Sequence, residues 1–127
     1  MKNTLIALNI SLIAVLGILV SWKHEIVYFY EPEVIQAVIT GYSSTEDQTD
    51  STPNLTAYNT KTRKGIVANN CLKKGTTVII EGMALIVEDR KNSRYGCEWF
   101  DIWFSDRTSA INFGLKRMNV LILSNGY

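Results

Sequence analysis

A small all-β protein, six short strands closed into a barrel with one short helix, led by an N-terminal apolar segment, is the architecture this sequence predicts. Three observations carry the prediction. Short β-branched and aromatic runs recur along the chain, each bounded by glycine or polar turn residues. They crowd into about 90 residues, and a sheet of so many short strands leaves no exposed edge only when it closes on itself. The first 22 residues differ in kind, being almost wholly apolar.

Leu5 to Val20 is interrupted only by Asn9, Ser11 and Gly17. That length falls between a signal-peptide core and the roughly 17–25 residues of a spanning helix. Residues 1–22 are therefore expected to be a signal peptide or membrane anchor, with Trp22 at the interfacial level. A buried core helix is the alternative, but the run has no polar face. Residues 23–33 form a connector and 34–127 the domain, which the leading segment places outside the cytoplasm, in the cell envelope. There a disulfide between Cys71 and Cys97 is permitted, and two free thiols are equally compatible with the sequence.

Within the domain, Val34–Tyr42 reads as the first strand and Ser43–Asn54 as a polar loop. Gly65–Ala68 is a short buried strand. Lys73-Lys74-Gly75 turns the chain into Thr76–Glu81, and Gly82 separates that strand from Met83–Glu88, a hairpin arrangement. Asp89–Arg94 is a charged connection, and Trp99–Phe104 is the next strand. Ser105 is the expected cap of a short helix with Asp106 favouring its dipole, Ala110, Ile111 and Phe113 turned inward, and Gly114 ending it. Met118–Leu123 closes the chain.

Composition narrows the chemistry. At 127 residues there is room for one domain. A 46% hydrophobic content with two prolines excludes a disordered chain. A net charge of +1 provides no electrostatic footprint for nucleic acid. The single histidine, His24, precludes a Ser-His-Asp or Cys-His constellation in the domain, and no CxxC motif exists. Glu46, Asp47 and Asp50 lack EF-hand spacing, so no cation is expected there. What remains is chemistry by carboxylates, amides, hydroxyls and aromatics.

The Trp99–Phe104 strand focuses that chemistry. Alternation puts Phe100, Ile102 and Phe104 on a core face and Trp99, Asp101 and Trp103 on the other. A carboxyl between two indoles would be desolvated, as a general acid needs, and the indoles would suit the C–H faces of sugar rings. The structural alternative is an aspartate paired with Arg90, Arg94 or Arg107.

Several blocks, in order, resemble the three-aspartate (3D) domain family. They are Thr40-Gly41-Tyr42 with Asp47-Gln48-Thr49-Asp50 and Pro53-Asn54-Leu55-Thr56-Ala57; Gly65-Ile66-Val67-Ala68; Gly75-Thr76 with Val78-Ile79-Ile80-Glu81-Gly82; and Val87-Glu88-Asp89 with Phe100-Asp101-Ile102. Asn112-Phe113-Gly114 before a final strand also fits, so the resemblance spans Ala37 to Leu123. The family is similar to the catalytic domain of membrane-bound lytic transglycosylase A. The resemblance implies a double-psi β-barrel that cleaves the MurNAc–GlcNAc bond of peptidoglycan, leaving 1,6-anhydro-muramoyl ends without metal or cofactor.

By that resemblance Asp101 is the acid/base and Asp89 the supporting aspartate, with Trp99, Trp103, Asn69, Thr56, Tyr58 and Asp50 lining the glycan groove. Asn69 stands near the position of the family's first aspartate, and Asp89-Arg90-Lys91 replaces the usual Asp-Thr-Gly. The expected partners are peptidoglycan strands and, through residues 1–22, the membrane. A non-catalytic glycan-binding barrel is the second reading, motivated by Asn69.

Overall fold

Alternation along the strands decides which side chains enter the barrel. The computed structural model describes residues 31–45, 47–49 and 51–123; the apolar run and the anchor or signal expected over 1–22 lie outside them, as do Glu46, Asp50 and residues 124–127. Six strands are formed: β1 (Glu33–Ser43), β2 (Ile66–Ala68), β3 (Thr77–Ile80), β4 (Met83–Asp89), β5 (Trp99–Phe104) and β6 (Lys116–Ile122). One helix, α1 (Arg107–Phe113), sits between β5 and β6. They close in the order β1-β5-β2-β4-β3-β6, with β6 returning to β1. The sheet is mixed, β1·β5 and β2·β4 being parallel and the other pairs antiparallel.

Every second residue fills the interior: Ala37 and Ile39, Val67, Val78 and Ile80, Leu85 and Val87, Phe100 and Ile102, Val120 and Ile122. Alternation is what a closed barrel demands, because each strand has an inner and an outer face; β2 is buried at all three residues, and β1 at Ala37, Val38 and Ile39, so there the outer face is covered as well. The last strand starts at Lys116, two residues before the expected Met118. The long β1 supplies it with partners from Ile39↔Lys116 to Glu33↔Ile122.

Turn chemistry fixes the β3–β4 hairpin. Ile80 pairs with Met83 across two residues, Glu81 and Gly82, whose φ values are 49° and 74°. Two successive positive φ values are those of a tight I′ connection. The helix departs from expectation at two points. Its N-cap is Asp106, one residue after Ser105; Asp106 accepts from the Ser109 backbone N–H at 2.7 Å and from the Ser109 hydroxyl at 2.7 Å. Ile111 is exposed rather than inward, because so short a helix offers the core one stripe, and Ala110 and Phe113 fill it.

Two contacts hold the fold near what will be the cleft. Cys71 and Cys97 form a disulfide with Cα atoms 5.3 Å apart, joining the loop after β2 to the segment entering β5. Gly41, on β1, lies under Phe104 and α1. A Cβ there would fall 2.7 Å from the Phe104 ring and 3.0 Å from the Ala110 carbonyl oxygen. Gly41→Ala should therefore cost about 1–3 kcal/mol by overpacking. Urea unfolding measures this, and an unchanged midpoint would mean that Phe104 yields freely.

Candidate active site

Strand neighbours assemble the site. The parallel pairing of β1 with β5 sets Thr40 beside Asp101, and the antiparallel pairing of β2 with β5 sets Ala68 beside Asp101 on its other flank. On β4 the register slips past Glu88, so that Ala68 pairs with Asp89. Thr40, Asp101, Ala68 and Asp89 thus form one row across four adjacent strands. Such bulges bend a strand and re-aim its side chains. Ala68, with only a methyl group between the two aspartates, is part of the lining of a cleft of about 570 Å³. That volume lies within the roughly 300–1,000 Å³ span of ligand sites.

Asp101 sits in a relay of donors. The Thr40 hydroxyl donates to its Oδ1 at 3.0 Å and the Lys91 ammonium to its Oδ2 at 2.9 Å, while Lys91 also donates to the Thr40 oxygen at 3.1 Å. Only 15% of the Asp101 side chain and 11% of the Lys91 side chain are exposed, so this pair is far less screened than a surface ion pair. The expected setting between two indoles is corrected here. The neighbours of Asp101 are a hydroxyl and an ammonium, and its cation is Lys91 rather than Arg90, Arg94 or Arg107.

Asp89 is the more enclosed carboxylate. It shares the parity of the core residues Leu85 and Val87, so the strand turns it inward at the barrel rim. Its Oδ2 accepts from the Tyr42 hydroxyl at 2.6 Å, and its Oδ1 accepts from the backbone N–H groups of Ala57 and Arg90, both at 2.8 Å. Burial first, and then the charge of Asp89, push the Tyr42 hydroxyl far above the usual phenol range. Tyr42 is thus held as a donor, and the two Asp89 oxygens together accept three hydrogen bonds.

The remaining groove residues divide sharply. Asn69 is fully buried and does not line the cleft. Its Nδ2 donates to the carbonyls of Cys97 at 2.9 Å and Trp99 at 3.0 Å, and its Oδ1 accepts from the N–H groups of Cys71 and Leu72, both at 2.9 Å. Thr56 is buried too: its hydroxyl accepts from the Tyr58 and Thr60 N–H groups and shares a 2.8 Å bond with the Thr60 hydroxyl, shaping the turn that offers Ala57 to Asp89. Tyr58 is half-buried beneath Lys74 and Arg90, 5.5 and 5.4 Å from its ring centre. Neither Trp99 nor Trp103 lines the cleft. Trp99 leans on Tyr95 with ring centres 4.8 Å apart, and Trp103 donates to the Ser44 hydroxyl at 3.0 Å. Asp50 lies outside the described residues.

Residues not singled out from the sequence complete the site: Thr40, Tyr42, Lys91 and Tyr95. Thr40 and Tyr42 share a face of β1, a local signal, but only the pairing with β5 brings that face to Asp101. On the far side Glu88 meets Arg63 in a two-pronged ion pair, one prong 2.9 Å long, and accepts from the Thr60 hydroxyl at 2.9 Å. The Arg63 guanidinium holds its carboxyl below the usual range, with Thr60 assisting. Among the described residues no three His, Cys, Asp or Glu gather as metal ligands would. Asp47 instead pairs with Arg107 at 2.7 Å. No family model and no curated protein matches the chain.

Two expectations follow from these bonds. Asn69→Asp removes the buried Nδ2 donor that serves the Cys97 and Trp99 carbonyls and should destabilise the protein by about 1–3 kcal/mol, against a negligible change in denaturant unfolding if those carbonyls find other donors. For Glu88, the folded-state value is depressed, so its contribution is complete above the ordinary carboxylate value of about 4.3 and fades as pH falls through the folded value. The stability gap between wild type and Glu88→Gln should accordingly shrink between about pH 5 and pH 3; a constant gap would dismiss the ion pair as its source.

Proposed function

We propose that this chain is a peptidoglycan lytic transglycosylase on a double-psi β-barrel of the three-aspartate type, with Asp101 as its acid/base. The supporting observation is one cleft that Asp89 and Asp101, two carboxylates with unlike surroundings, line together with Asp47. Asp89 accepts from a phenol and two backbone N–H groups, while Asp101 is held by two side chains, the Thr40 hydroxyl and the Lys91 ammonium. Aspartates set apart in this way divide the work of acid and electrostatic support. For the double-psi topology the support is the pair of parallel contacts, β1·β5 and β2·β4, inside one closed mixed sheet.

In this mechanism Lys91 swings from Asp101 toward the Tyr95 ring, whose centre is already 4.4 Å from its nitrogen. A ring face stabilises a cation by about 0.5–2 kcal/mol. Asp101 takes up a proton from solvent as Lys91 leaves and gives it to the glycosidic oxygen as the C1–O bond breaks. The muramoyl 6-hydroxyl oxygen then bonds to C1, and its proton returns to Asp101. Atoms balance without water, metal or cofactor. Asp89 stabilises the oxocarbenium-like charge directly or through Tyr42. Residues 1–22 would hold the domain at the membrane, facing the wall.

The Lys91–Asp101 pair also favours a second reading, a non-catalytic glycan-binding barrel in which Asp101 stays paired with Lys91. Mass spectrometry of soluble products from purified peptidoglycan separates the two. The full chain should release anhydro-muropeptides, and Asp101→Asn should reduce that release by roughly 10²–10⁴-fold. Wall binding by both forms with no product from either would establish the binding module, and reducing ends without anhydro sugar would indicate hydrolysis.

A further inference from the structure

The cleft carries more positive charge than its acids engage. Asp101 is taken by Lys91, Asp47 by Arg107 and Asp89 by three neutral donors. Two guanidiniums on the β4–β5 connection, Arg90 and Arg94, line the same cleft and have no carboxylate partner among the described residues. Both are exposed.

Each is steadied from behind by neutral groups. Arg90 donates through Nη1 to the Asn70 carbonyl at 2.6 Å and lies over the Tyr58 ring at 5.4 Å. Arg94 donates through Nη2 to the Tyr95 hydroxyl at 2.9 Å and lies over that ring at 4.9 Å. A guanidinium has five N–H donors in a rigid fork, so these contacts leave donors of both residues open toward the cleft. Fixing the fork before a ligand arrives lowers the ordering cost of binding a planar two-oxygen anion.

We infer that Arg90 and Arg94 form a carboxylate-recognition subsite, and that the glycan taken by this cleft bears a carboxylate beside the bound sugar. The inference rests on the reading of the cleft as a glycan site. A carboxylate fits better than a phosphate because Asp89 and Asp101 share the cleft, and a second negative charge would double the repulsion they exert. Two sources offer this chemistry: the lactyl carboxylate of a strand stripped of peptide, and the carboxylates of a stem peptide still attached.

Calorimetric titration of the full chain tests this with three probes: peptide-free strands, the same strands with their carboxylates converted to amides, and peptide-bearing strands. Amidation should weaken binding on the order of tenfold. The double variant Arg90→Gln/Arg94→Gln should bind the charged strands as weakly as wild type binds the amidated ones, and should bind the amidated strands unchanged. Arg117→Gln, elsewhere on the surface, should behave as wild type. Tighter binding of peptide-free strands identifies the lactyl source, and tighter binding of peptide-bearing strands the stem peptide. Equal affinity for charged and amidated strands overturns the subsite even where both are cleaved. A phosphate-rich wall polymer that outcompetes every carboxylated strand overturns the choice of anion. Charge-dependent binding with no cleavage defeats the transglycosylase reading alone, leaving the subsite in place.

Discussion

The Asp89 carboxylate is the constraint on which the functional end of the barrel depends. It ends β4, yet its three donors come from β1 (Tyr42), from the turn at Ala57 and from the start of the β4–β5 connection at Arg90. A core-facing carboxylate without donors would be costly to bury. Because this one is satisfied only when those three segments converge, the burial requirement dictates their positions. The turn itself is built for the purpose: Thr56 organises its backbone so that the Ala57 N–H is free to reach Asp89. Asp89 acts as a framework for the cleft before it acts on any ligand.

Asp101 answers to a different constraint. It lies on the outer face of β5, with half of its environment supplied by Thr40 and half by Lys91. An ion pair this sheltered is stabilised by Coulomb attraction but opposed by desolvation, so it need not add net stability. What it provides is definition: the carboxylate has one orientation, and the ammonium has a second seat on Tyr95. The two aspartates, separated along the row by Ala68, therefore differ in their partners: backbone N–H groups and a phenol for Asp89, a hydroxyl and an ammonium for Asp101.

Asn69 serves the framework rather than the cleft. Buried between the disulfide and the start of β5, it must both donate to two carbonyls and accept from two N–H groups. A carboxylate can only accept, so an aspartate in the same place would leave the Cys97 and Trp99 carbonyls without this donor. The disulfide between Cys71 and Cys97 braces the same junction; a cross-link over such a loop contributes about 3 kcal/mol in the chain-entropy model. The asparagine is thus a joint between β2 and β5, which holds Asp101 in register from beneath.

The local features were legible in the residue order. Alternation marked the inner face of β5, Gly82 the hairpin and Gly114 the end of the helix, and the polar parity of Asp101 among Phe100 and Ile102 singled it out; Glu81, expected to end a strand, is instead the first residue of the turn. Such signals rest on periods of two and on backbone preferences, which a sequence carries within a few residues. Tertiary structure decided the rest. Thr40 and Asp101 are 61 residues apart and Tyr42 and Asp89 are 47, and they meet only because closure makes β1 and β5 parallel neighbours and slips β4 by one residue. The same closure turns Trp99 and Trp103 away from the cleft and brings Lys91, Arg90 and Arg94 into it. Strand parity says which face a side chain takes, but pairing across the sheet says what that face meets, and pairing is fixed by burying the whole barrel at once.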